Sequence, residues 1–136
     1  MQGIIQRLSN TQRVKGYSSN QSPEWQLLSD ILKMWISQSK TPVLLLPIPM
    51  HMFIERSSDA LAYQTRFQEL ANATGCYLHD PLTDLCGYSQ NERLGFFHKH
   101  NNHLTPSGHD AVAHSLAPVI KRIKIECCSV RYGAAS

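Results

Sequence analysis

The sequence predicts an α/β fold, parallel strands layered with amphipathic helices, and three apolar runs carry that prediction. "TPVLLLPI" (Thr41–Ile48) is continuous, as expected of a strand covered on both faces. "GIIQRL" (Gly3–Leu8) and "CYLHD" (76–80) are shorter runs of the same kind. Between these three lie two segments with helical apolar spacing, so strand and helix alternate. Alternation of this sort implies parallel strands joined by right-handed crossovers.

Each element has its own signal. After Gly3–Leu8 and a polar stretch, "SPEW" starts a helix, with Ser22 as N-cap and Pro23 at the first helical position. Leu28, Ile31, Leu32, Trp35 and Ile36 then follow the spacing of one buried face. A second helix is expected from about Ser58 to Ala73, burying Ala60, Tyr63, Phe67, Leu70 and Ala71, with Gly75 just past its end. Thr105 and Pro106 begin a last helix whose face is Val112, Leu116, Val119, Ile120 and Ile123. Pro118 inside that pattern predicts a kink or break. The order is β-α-β-α-β-loop-α, in one domain over 1–124 with an aperiodic tail over 125–136.

Composition narrows the function. An apolar content of 42% against 17% charged residues reads as globular. The net charge of +3 is spread along the chain, and "KRIK" (Lys121–Lys124) reads as the solvated end of a helix. With no basic run interleaved with aromatics, no nucleic-acid partner is expected. Cys76, Cys86, Cys127 and Cys128 show no CxxC spacing, so no disulfide framework is expected and a reducing compartment is the default. "MQGIIQRLSN" lacks a signal-peptide core, and "VLLLPIPM" is far short of the ~18 residues a membrane span needs. A cytoplasmic location is the resulting expectation, unless a signal precedes the sequence.

Five of the seven histidines fall within His98–Ile120. His98, His100 and His103 give H-x-H-x₂-H, and imidazoles suit zinc, copper or nickel. A structural zinc site usually has four ligands, and the fourth would have to come from His51, His79 or Asp80. A His-rich metal-binding or non-catalytic interaction domain is therefore the alternative to an enzyme. His109 shares a face with Val112 and Leu116 and is expected to pack. In sheets of this class, sites gather at the C-terminal ends of strands. That rule selects Ser9–Thr11, Pro49–His51 and His79–Asp84, with the His98–His103 loop feeding the last helix.

At this point a family resemblance enters. "NNHLTPSGHDAVAHSLAPVI" resembles the last block of the SGNH (GDSL-type) hydrolases, where the catalytic histidine stands just before a helix in a phrase such as H-[LP]-[TN]-P-x-G-H. The resemblance puts His103 at the position of the general base. "GIIQRLSN" is similar to the strand that ends in the family's oxyanion-hole asparagine, here Asn10; Asn20 is the rival but follows no strand. Asn10 read alone is equally a turn residue ending a strand. The resemblance spans Gly3 to about Ile123 and implies a three-layer, flavodoxin-like parallel sheet, incomplete at its N-terminal side. It implies hydrolysis of a small ester or acylated substrate, with no cofactor and no metal.

Two departures matter. The family's Gly-Asp-Ser-like nucleophile block is missing, and Ser9, Ser18, Ser19 and Ser22 follow no such turn. The acid that orients the histidine should stand two or three residues before it, where this chain has Asn101 and His100; Glu92 and Asp110 are poorly placed. A serine hydroxyl is a poor nucleophile until a neutral imidazole takes its proton. An amide in place of the acid costs roughly 10⁴ in turnover in serine proteases. The chain is thus expected to be inactive alone. Without its neighbouring strand, Gly3–Leu8 would be an open edge inviting self-association.

Overall fold

Proline decides how much of the apolar run Thr41–Ile48 becomes strand. Pro42 and Pro47 bracket Val43–Leu46 and have no N–H to give a ladder. Only Leu44–Leu45 (β1) is in strand geometry. Its partner Tyr77–Leu78 (β2), lying between Gly75 and Pro81, is equally short. The two pair in parallel, Leu44 opposite Tyr77 and Leu45 opposite Leu78. Tyr77 N–H donates to Val43 C=O (2.9 Å) and His79 N–H to Leu45 C=O (3.0 Å).

The computed structural model of the chain describes residues 15–99 and 103–132. The strand expected at Gly3–Leu8 lies outside them. Among the described residues helix takes 63% and strand 5%, and the sheet is the β1–β2 pair alone. The three-layer flavodoxin-like sheet expected from the sequence is therefore overturned. The prolines and a terminal helix far longer than anticipated account for the difference.

The chain divides into two compact units, the first ending at Leu82 and the second beginning at Thr83. In the first unit a 3₁₀ turn, Lys15–Tyr17, leads to α1 (Pro23–Gln38), β1, a single turn α2 (His51–Ile54), α3 (Leu61–Thr74) and β2. Pro23 opens α1 as expected, but the Ser22 hydroxyl does not cap it. It donates instead to the Gly16 and Ser19 carbonyls, tying the helix start to the 3₁₀ turn. The N-cap of α3, Ala60, has no side chain to cap with, and Asp59 just before it accepts from Leu61 N–H at 2.9 Å. Its end is Gly75, at φ 70° where a side chain would be strained, with its N–H on the Ala71 carbonyl.

Aromatic rings fill this unit. Trp25 of α1 meets Phe67 of α3 with centroids 5.4 Å apart, Tyr17 lies 5.9 Å from Trp25, and Phe53 lies 5.0 Å from Tyr63. Edge and tilted contacts of this kind add to the area they bury. They also choose the face of α1. Trp25 is 5% exposed and Trp35 61%, the reverse of what the spacing predicted for Trp35.

The second unit holds α4 (Leu82–Cys86, crossing the boundary), α5 (Gln90–Leu94) and α6 (Pro106–Tyr132). Ser89 and Glu92 form a reciprocal capping box at the start of α5. The buried face of α6 consists of small residues, Gly108, Ala111, Val112 and Ser115. A Cβ on Gly108 would lie 2.3 Å from the Phe96 carbonyl oxygen, so this face needs glycine to approach that backbone. From Leu116 to Cys127 no residue is buried, and the helix runs through Ile125–Tyr132 as well. It continues past Pro118, so of the expected kink or break the break does not occur. His114, whose carbonyl loses its partner to the proline ring, is exposed, so water can satisfy that oxygen. Among the described residues no helix is long and apolar enough to cross a membrane.

Candidate functional site

Of the four residues singled out by the sequence, the structure describes His103. Asn10, His100 and Asn101 lie outside the described residues, so it does not test whether they meet the histidine. His103 sits where α5 hands over to α6. An antiparallel bridge pairs Phe97 with Leu104, and His98 N–H donates to the His103 carbonyl at 3.0 Å. These contacts close the His98–His103 loop at its neck. Outside the neck, Thr105 N–H donates to the Phe96 carbonyl (2.9 Å) and its hydroxyl to the Gly95 carbonyl (2.6 Å). The same hydroxyl accepts from Gly108 N–H at 3.2 Å, which makes Thr105 the N-cap of α6.

The phrase H-L-T-P-S-G-H therefore has a physical reading in this chain. Thr105 pins the loop and caps the helix, Pro106 fills a first-turn position that has no N–H to satisfy, and Gly108 lets the helix touch the Phe96 backbone. His103 stands two residues before the cap on a fixed neck, and its side chain is exposed. A histidine so placed is anchored through its backbone on an exposed part of the chain. The other described histidines of the cluster, His98, His109 and His114, are exposed as well. For His109 this corrects the expected packing role. The small-residue face runs through Gly108 and Ala111, and His109 lies one residue around the helix from it.

One serine that sequence reasoning passed over is buried here. Ser115, 9% exposed, donates its hydroxyl to the Asp84 carboxylate at 2.6 Å. That bond ties α6 to the middle of α4 and leaves the hydroxyl poorly exposed for attack. Its sequence signal was weak, a polar residue on an otherwise apolar helical face.

The strand ends of the first unit were the other expected gathering point. At the end of β2, Asp80 accepts from Tyr63 Oη (2.9 and 3.0 Å), Gln64 Nε2 (2.8 Å) and Leu82 N–H (3.0 Å). These three donors spend the carboxylate on fixing α3 to the strand end. At the end of β1, Tyr17, Pro47, Met50, Phe53, Tyr63 and Phe67 line a cavity of about 160 Å³. Burial pushes the Tyr17 phenol up from its ordinary value beside this cavity. Among the described residues no three His, Cys, Asp or Glu side chains converge as a metal-holding group. The basic residues Lys121, Arg122 and Lys124 are exposed on α6, with Arg122 3.9 Å from Glu126.

Comparisons with protein-family models, with curated proteins and with solved structures return no match.

Proposed function

We propose that the chain is the base-bearing, C-terminal part of an SGNH-type ester hydrolase. In this proposal His103 is the general base and the nucleophilic serine belongs to sequence the chain does not carry. The observation that supports this most is the held neck. An exposed histidine stands two residues before a threonine-capped, proline-started helix whose glycine meets backbone. A general base must be positioned within hydrogen-bond reach of a hydroxyl while its ring stays accessible, and a pinned backbone with an exposed ring fits that need. The acid position is non-acidic here, so the ring's tautomer would depend on an amide or backbone carbonyl. The substrate class is a small ester or acylated molecule. The proposal rests on the His103 segment, not on the sheet.

The gene upstream of Met1 provides the test. A Gly-Asp-Ser-like turn in frame should be present, and the longer product should be labelled at that serine by a fluorophosphonate. In that product His103→Ala should lower turnover by roughly 10⁴-fold or more without unfolding it. A longer product that carries the serine block yet keeps full turnover in His103→Ala would overturn the assignment.

A further inference from the structure

Four aromatic rings wall the cavity at the end of β1. Tyr17, Tyr63 and Phe67 stand with centroids 6.2, 6.3 and 6.5 Å apart, and Phe53 lies 5.0 Å from Tyr63. Their planes are inclined to one another by 36° to 76°, so none of these pairs is stacked. The room they border is about 160 Å³. Sites for drug-sized ligands run to roughly 300–1,000 Å³, so this one suits a head group and not a whole ligand.

The polar inventory of the lining sets the sign of charge it accepts. The rest of the lining is proline, isoleucine and methionine, with no lysine, arginine or histidine. Pro47 and Pro49 have no N–H to offer. The Tyr63 hydroxyl spends its proton on Asp80, at 2.9 and 3.0 Å. That bond sets a carboxylate against the wall and pushes electron density onto the ring. The cavity therefore presents aromatic rings, a thioether and phenol oxygens, a set that attracts cations and gives an anion nothing.

Desolvation then selects among cations. A primary ammonium carries three strong N–H donors, and burying them here without partners is costly. An ammonium whose protons are replaced by methyl groups has no donor to satisfy, and its methyl groups suit apolar walls. We propose that this cavity binds the head of a quaternary, methylated ammonium compound through cation–π contact with Tyr17, Phe53, Tyr63 and Phe67. The site lies within the first unit, and the inference is independent of the hydrolase proposal.

Proton NMR of the full chain with choline tests it. Ring currents should move the N-methyl resonance upfield, with nuclear Overhauser contacts to the Tyr17 and Tyr63 rings and a Kd on the order of millimolar. 3,3-Dimethylbutan-1-ol has the shape of choline without the charge and should bind about 10-fold more weakly. Ethanolamine, charged but carrying N–H donors, should also bind more weakly. Tyr17→Phe keeps the ring and should keep the affinity. Tyr17→Leu should weaken choline about 5-fold and leave the neutral alcohol unchanged, a split that loss of packing alone would not produce. Pelleting of the chain with phosphatidylcholine vesicles would identify the source as a lipid head group; choline binding without pelleting would make it a free amine, and either supports the site. Equal or tighter binding of the neutral alcohol would make the cavity an ordinary apolar pocket and overturn the proposal. Choline that gives no contact with these rings would overturn it equally. If Tyr17→Leu does not fold, the comparison of choline with the alcohol on the unaltered chain decides.

Discussion

The two units hold their elements by different means. The first relies on bulk, with Trp25, Phe53, Tyr63 and Phe67 in ring contact and Asp80 satisfying the one buried phenol among them. The second relies on closeness and caps. Its long helix approaches Phe96 through Gly108, while Thr105 and Ser89 tie down the two helix starts. A unit built on bulk fails when volume is removed, and a unit built on closeness fails when volume is added. The candidate base belongs to the second kind, so its position depends on backbone contacts rather than on a large core.

Removing volume from the first unit should have the largest effect. Trp25→Ala should cost about 4 kcal/mol in urea unfolding, whereas Trp35→Ala should stay within about 0.5 kcal/mol. Equal costs would mean that the aromatic cluster does not choose the face of α1. Adding volume to the second unit comes next. Gly108→Ala should cost about 3 kcal/mol, because the methyl group meets the Phe96 carbonyl and not a flexible side chain. A neutral result would break the contrast between the units.

The polar hub is a smaller test. Asp80→Ala should cost about 2 kcal/mol by leaving the Tyr63 hydroxyl, on a residue 5% exposed, without its acceptor. Tyr63→Phe/Asp80→Ala should recover part of that loss, since no donor is then stranded; no recovery would deny the hub its role. The smallest effect concerns Glu92. The Ser89 hydroxyl and backbone N–H donate to its carboxylate and hold it below the ordinary value of 4.5. A carboxylate whose folded value is lowered stabilises above the unfolded value, and that contribution is lost as pH falls through the folded one. A carbon-detected titration of Glu92 should therefore show a midpoint below 4.5 that returns towards it in Ser89→Ala. An unchanged midpoint would remove the capping box as its cause.

Much of the local structure was legible in the sequence because it is written in single residues. Pro23 at the start of α1, Gly75 at the end of α3, and Thr105 with Pro106 at the start of α6 stand where their chemistry required. Tyr63, Leu70 and Ala71 are buried on α3 as their spacing indicated. The sheet was misread because an apolar run says nothing of how many N–H groups the ladder will find, and Pro42 and Pro47 remove two. On α1 only Trp35 was misread: Leu28, Ile31, Leu32 and Ile36 are half-buried beside Trp25, whereas Trp35 is exposed because the ring contacts with Tyr17 and Phe67, distant in sequence, centre the face on Trp25. The candidate site was legible as a phrase. The contacts that hold His103, from Thr105 to Gly95 and from His98 to His103, come from loop backbone that no periodicity reveals.

The central claim, a positioned base without its own nucleophile, is tested most directly by p-nitrophenyl acetate hydrolysis. The unaltered chain should turn the ester over no faster than an equal concentration of free imidazole, and Ser→Ala changes at Ser9, Ser18, Ser19, Ser22 or Ser115 should leave that rate where it is. Saturable turnover well above imidazole, abolished by one of those serine changes, would show that the chain carries a nucleophile of its own and would contradict the account.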